Sequence, residues 1–76
     1  MTSEGKAELK ALGAAIRRER LRLPESQEDF AERCGLHRTY IGQLERAEKN
    51  VSFINLLRIS RGLRLEPSKL LAKADL

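Results

Sequence analysis

Ser26-Gln-Glu-Asp-Phe-Ala-Glu-Arg-Cys-Gly-Leu-His-Arg-Thr-Tyr-Ile-Gly-Gln-Leu-Glu45 is the stretch that decides the fold. It reads as two short helices joined by a tight turn at Gly35. Ser26 stands where a hydroxyl caps free helix amides, and Asp29 follows three residues on, the spacing of a capping box. Phe30, Ala31 and Cys34 share one face of this first helix. Gly35 supplies a residue suited to the left-handed conformation that ends it. The second helix is predicted from Arg38 to Arg46 or Ala47. Tyr40, Ile41 and Leu44 cover its apolar side, while Arg38, Thr39, Gly42, Gln43 and Arg46 cover the other. A short capped helix, a turn and a helix with a polar front are shaped for the major groove of double-stranded DNA.

Outward from this centre the pattern stays helical. A first helix is predicted from about Ala7 to Arg22, with Leu9, Leu12, Gly13, Ile16, Arg20 and Leu23 on one stripe, and Pro24 stops it. After a polar link over residues 47–51, Ser52 caps a helix from Phe53 to Arg61 that Gly62 is expected to end. Phe53, Ile54, Leu56, Leu57 and Ile59 make its apolar surface broader than one small core needs. Pro67 opens a last helix reaching about Lys73, with Leu63, Leu65, Leu70 and Leu71 as its contacts. No strand-like alternation occurs. The expected architecture is therefore all-α: a frayed segment over residues 1–6, then one compact five-helix domain over residues 7–76.

The chain has 76 residues, room for one small domain. Fifteen Lys and Arg against 11 Asp and Glu leave a formal charge of +4, a modest excess that favours a polyanionic partner. The single cysteine, Cys34, excludes an internal disulfide framework and fits a reducing compartment. No apolar run approaches a membrane span, and the N-terminus lacks a signal-peptide core, so a cytoplasmic protein is expected. Catalysis has little support. His37 and Cys34 are the only residues of their kinds, with no third group to orient a base. Ligands for zinc are too few, and a glycine-rich phosphate loop is absent. No cofactor is expected.

Arg20 and Glu45 interrupt apolar faces. A lone buried charge is costly, so each needs a partner, and the arginine fork suits a carboxylate between packed helices. The alternative is that both side chains reach water along their apolar stems. On the polar front, Arg38 can take guanine O6 and N7 together, Thr39 offers a methyl or a hydroxyl, and Gln43 can pair with adenine or reach several other edge patterns. Gly42 would leave the helix backbone open to close approach. The bland reading of this front is an ordinary solvated face. Tyr40 is either a packed ring or a hydroxyl donor at the groove edge. Gln27, first after the cap, is a phosphate candidate or a solvated glutamine. Arg46, Lys49 and Asn50 are candidates for phosphate clamps. His37 either caps its helix or meets a phosphate. Arg17, Arg18 and Arg22 read as a solvated basic face.

Ser26-Gln-Glu-Asp-Phe-Ala, then Gly35-Leu, then Arg38-Thr-Tyr-Ile-Gly-Gln-Leu-Glu-Arg46, resembles the helix-turn-helix of the Cro/C1 (XRE) family across about residues 9–72. The resemblance implies a lambda-repressor-like domain of four or five helices that dimerises on a palindromic operator. It implies phosphate contact for Gln27 and an arginine–glutamate bridge for Arg20 and Glu45. Within the family, Arg38-Thr39-Tyr40-Ile41 with Glu45-Arg46 and Asn50 is similar to the restriction–modification controller proteins. That likeness implies reader roles for Arg38, Thr39 and Tyr40, with Arg46 and Lys49 as the basic residues after the reader helix. Gly42 and Gln43 depart from the controller pattern, so operator sequence does not carry over.

These readings lead to a homodimer, with Ile54, Leu57 and Leu65 expected at a two-fold interface, and to transcriptional control without a small-molecule effector. The competing class is a protein-binding module of antitoxin type, whose sign would be an extension that wraps a partner.

Overall fold

The computed structural model describes residues 5–76. Five helices follow in order: α1 Lys6–Arg20, α2 Gln27–Cys34, α3 Arg38–Glu45, α4 Phe53–Gly62 and α5 Pro67–Lys73. No strand occurs among the described residues. Of the frayed segment expected over residues 1–6, residues 1–4 lie outside the described residues, and Lys6 is already helical.

Three helices start on side-chain caps. Ser26 Oγ accepts the Asp29 amide at 3.0 Å, and Ser52 Oγ accepts the Asn55 amide at 3.2 Å. His37 Nδ1 accepts the Thr39 amide at 3.1 Å. Each satisfies one of the amides that a helix start leaves open. Gly35 ends α2 at φ 75°, a conformation that costs a glycine little. Pro67 sits in the first turn of α5, where its missing N–H is no loss.

Three boundaries differ from expectation. The reader helix ends at Glu45, short of Arg46 or Ala47, with Arg46 as its cap. The first helix ends at Arg20, short of Arg22, because the chain tightens into a turn in which the Arg22 amide reaches Glu19 O and the Leu23 amide reaches Arg20 O. Gly62 does not stop the fourth helix. It is the last residue of α4, Leu63 caps it, and the left-handed residue beyond is Arg64 at φ 62°. Gly62 is present for packing: a Cβ there would overlap Cys34 Sγ and lie 3.3 Å from the Phe30 ring. Gly13 has the same kind of reason. A Cβ on it would overlap the Leu44 carbonyl oxygen and stand 2.8 Å from that of Glu45, so α1 at Gly13 lies directly against the backbone of α3.

Ile16, Phe30, Ile41, Ile59 and Leu70, one from each helix, are fully buried and form the centre of one core. Ala31 is buried in the same core. The helix-turn-helix is braced from behind by α1, which packs on α3, and by α4, which packs on α2. Among the described residues no helix is long and apolar enough to cross a membrane.

Candidate nucleic-acid interface

The site is built on a shielded polar knot behind α3. Arg20 Nε donates to Glu45 Oε2 at 2.6 Å and Arg20 Nη2 donates to Glu45 Oε1 at 3.1 Å. The side chains are only 9% and 2% exposed. Gln27 Nε2 adds a third donor to Glu45 Oε1 at 3.3 Å. Burial of the carboxylate is tolerable because charge-assisted donors replace its lost water. The result ties the end of α1, the start of α2 and the end of α3 together. Gln27 is half-buried and directs part of its amide to this knot.

In front of the knot, α3 presents Arg38 and Thr39 exposed and Gln43 half-buried. Arg38 Nη1 lies 3.3 Å from Glu28 Oε2 of α2, both side chains well exposed. Such a pair is weak and easily exchanged for another acceptor. Tyr40 is half-buried against the core, and its hydroxyl accepts a hydrogen bond from Asn55 Nδ2 of α4 at 3.1 Å. His37 is exposed and caps α3 through Nδ1.

Past the end of α3, Arg46 forks onto Glu48 at 2.9 and 3.2 Å. That hydrogen bonding holds the Glu48 carboxyl below the usual carboxylate range. Lys49 and Asn50 are exposed on the same connection. The expectation for Gly42 is corrected. It is buried, and the Arg46 guanidinium lies over it, 3.0 Å from where a Cβ would sit, so Arg46 and not bare backbone forms the surface there.

The basic residues of α1 and of the turn after it divide. Arg17 is exposed, Arg18 donates to the Lys73 carbonyl at 2.9 Å, and Arg22 lies 3.6 Å from Glu19. Cys34 is buried, and that burial pushes its thiol pKa up, which suits an inert core residue. Among the described residues no group of His, Cys, Asp and Glu could hold a metal ion. The apolar face of α4 opens with Phe53 69% and Ile54 57% exposed, while Leu57 and Leu65 are half-buried and Leu65 packs on the core.

Sequence reasoning overlooked Glu28, Glu48 and Asn55, each bonded to a candidate contact residue. Only Glu48 carried a local signal, an opposite charge two residues from Arg46. It also overlooked Arg33, which bridges Glu25 at 2.6 Å and the Gly62 carbonyl at 2.8 Å while lying over the Phe30 ring.

A helix-turn-helix family model matches residues 16–70. The control protein C.BamHI of Bacillus amyloliquefaciens is 50% identical over 46 residues, which are 60% of this chain and 57% of that protein. The matched region therefore spans little more than half the length of that relative. The restriction-modification controller protein C.AhdI from Aeromonas hydrophila superposes with a TM-score of 0.82 at 38% identity, covering 87% of this chain and 96% of that one. The clp gene regulator ClgR from C. glutamicum superposes with a TM-score of 0.83 at 30% identity, covering 88% and 86%.

Proposed function

The chain belongs to the Cro/C1-type helix-turn-helix family, and we propose that it is a transcriptional regulator that binds double-stranded DNA by sequence. In this reading it acts in the cytoplasm as a homodimer on a palindromic operator and controls restriction–modification genes, as the likeness to C.BamHI and C.AhdI suggests. The observation that carries it is the polar row of exposed Arg38 and Thr39 with half-buried Gln43, on a helix whose back is locked by the buried Arg20–Glu45 pair. Side chains that read bases need a helix that does not shift under them, and this knot supplies that rigidity.

The roles follow from reach and chemistry. Arg38 exchanges the Glu28 carboxylate for guanine O6 and N7. Thr39 and Gln43 meet neighbouring base edges, and Tyr40 reaches the groove margin. Gln27, His37, Arg46, Lys49 and Asn50 approach phosphates on either side, which sets register without reading sequence. Ile54 and Leu57, with Phe53 beside them, meet their two-fold copies and Leu65 supports that contact, placing two reader helices about 34 Å apart. No cofactor or small-molecule effector enters this scheme, so occupancy follows protein concentration.

Selection of bound duplexes from a random pool tests the reading. Enrichment of an inverted repeat that maps upstream of its own gene, beside a restriction endonuclease gene, is the expected result. Failure to enrich any duplex at low salt would overturn it in favour of a protein-binding module.

A further inference from the structure

Tyr40 and Asn55 sit on different helices and are joined by one side-chain hydrogen bond of 3.1 Å. Asn55 is the third residue of α4, and its own amide is capped by Ser52 Oγ, so its backbone is held in place. The Tyr40 ring is wedged against the core at the same time. A phenol has one proton to give and lone pairs to accept with. Here the Asn55 amide nitrogen occupies an acceptor position, which leaves the phenolic proton free to point away from Asn55. We propose that Asn55 is a positioning residue: it fixes the Tyr40 hydroxyl as a hydrogen-bond donor aimed outward at an acceptor oxygen of the DNA. The proposal rests on the DNA-binding reading above and names a residue of α4, outside the reader helix.

The arrangement has a second consequence. Asn55 follows Ile54, which is 57% exposed on the face assigned to dimerisation. One hydrogen bond therefore joins the dimer face to the reader helix.

The test measures binding of the full chain to its selected operator and to a scrambled duplex for four proteins: wild type, Asn55→Ala, Asn55→Asp and Tyr40→Phe. Tyr40→Phe and Asn55→Ala should each weaken operator binding roughly 3- to 10-fold, the scale of one neutral hydrogen bond. Adding Asn55→Ala to Tyr40→Phe should cost nothing more. Asn55→Asp should weaken it further than Asn55→Ala, since a carboxylate takes the phenolic proton for itself and adds negative charge near DNA. A loss shared by both duplexes assigns the acceptor to a phosphate, and a loss confined to the operator assigns it to a base edge. Asn55→Asp binding as well as wild type would overturn the proposal, because the tyrosine would then be the donor to residue 55. Additive losses in the double variant would overturn it too. Wild type that binds neither duplex would instead refute the DNA-binding reading itself.

Discussion

Arg20 and Glu45 meet as a two-pronged fork, Nε to Oε2 at 2.6 Å and Nη2 to Oε1 at 3.1 Å, across the contact of α1 with α3. Two charges withdrawn from water gain little net stability as a pair, because desolvation offsets most of their attraction. What they supply is register. A fork of fixed geometry admits one rotation and one height of α3 against α1. Gly13 permits that height by letting the Leu44 carbonyl settle where a Cβ would be. The presentation of Arg38, Thr39 and Gln43 is thus set from the back of the helix.

Removing one partner should show this asymmetry. Glu45→Ala strands the Arg20 guanidinium in a nearly closed site and should cost on the order of 3 kcal/mol. The double change Arg20→Met with Glu45→Leu should recover most of that loss. Chemical denaturation checks both. A cost below about 0.5 kcal/mol for Glu45→Ala would mean that both side chains reach water in solution.

Gly62→Ala should destabilise by about 1–3 kcal/mol, the scale of forcing one methyl into a filled core. The new methyl overlaps Cys34 Sγ and crowds the Phe30 ring. Cys34→Ala removes the sulfur, so the double variant should regain part of the loss. Gly13→Ala should not be rescued by Cys34→Ala, since it meets backbone carbonyls of α3 and not a side chain. Thermal or urea unfolding of the four variants separates the cases.

These glycines mark where reading a sequence stops. Helix periods, serine caps and the Gly35 turn are local, and each is visible in a few residues of Ser26 to Glu45. The charges of Arg20 and Glu45 are visible because they break apolar stripes. Gly62, by contrast, looks like a helix stop at the end of a hydrophobic run. Its reason is a sulfur 28 positions earlier in the chain, brought close only by the packing of α2 on α4. Gly42 misleads in the same way, since Arg46 folds over it through a fork onto Glu48. Pairs such as Arg38 with Glu28, and Tyr40 with Asn55, join separate helices, and no local spacing announces them.

Acid should loosen the brace beneath α2. The Arg33 hydrogen bonds hold the Glu25 carboxyl below its usual range. A carboxyl lowered in the folded state adds stability above its unfolded pKa. That contribution fades as pH falls from the ordinary glutamate range through the lowered folded value. Glu25→Gln should therefore flatten this part of the acid limb and change little near neutrality in slope. Unfolding midpoints measured across the acid range check the sign.

The exposed first turn of α4 should control assembly. Ile54→Glu places a charge on the face where Phe53 and Ile54 lie open, and it should leave the fold intact while yielding an 8.6 kDa monomer. Sedimentation at micromolar concentration should show the wild type at twice that mass. A wild type that sediments only as a monomer would remove the two-fold interface, and with it the inverted-repeat geometry.

Contacts that read bases should separate from contacts that only hold phosphates. Arg38→Ala should lose roughly 1–3 kcal/mol on the operator and relax discrimination at one base pair in each half-site. Its partner Glu28 is exposed and leaves with little cost, so the loss belongs to the base contact. Lys49 lies exposed on the open connection after α3. Lys49→Ala should therefore weaken operator and scrambled duplexes alike, and lower the dependence of log K on log salt by about one for each protomer. Titrations of both variants at several salt concentrations decide the matter. A Lys49 variant that altered sequence preference while keeping the full salt slope would reverse the two assignments, making residue 49 the reader and α3 a face that merely follows the groove.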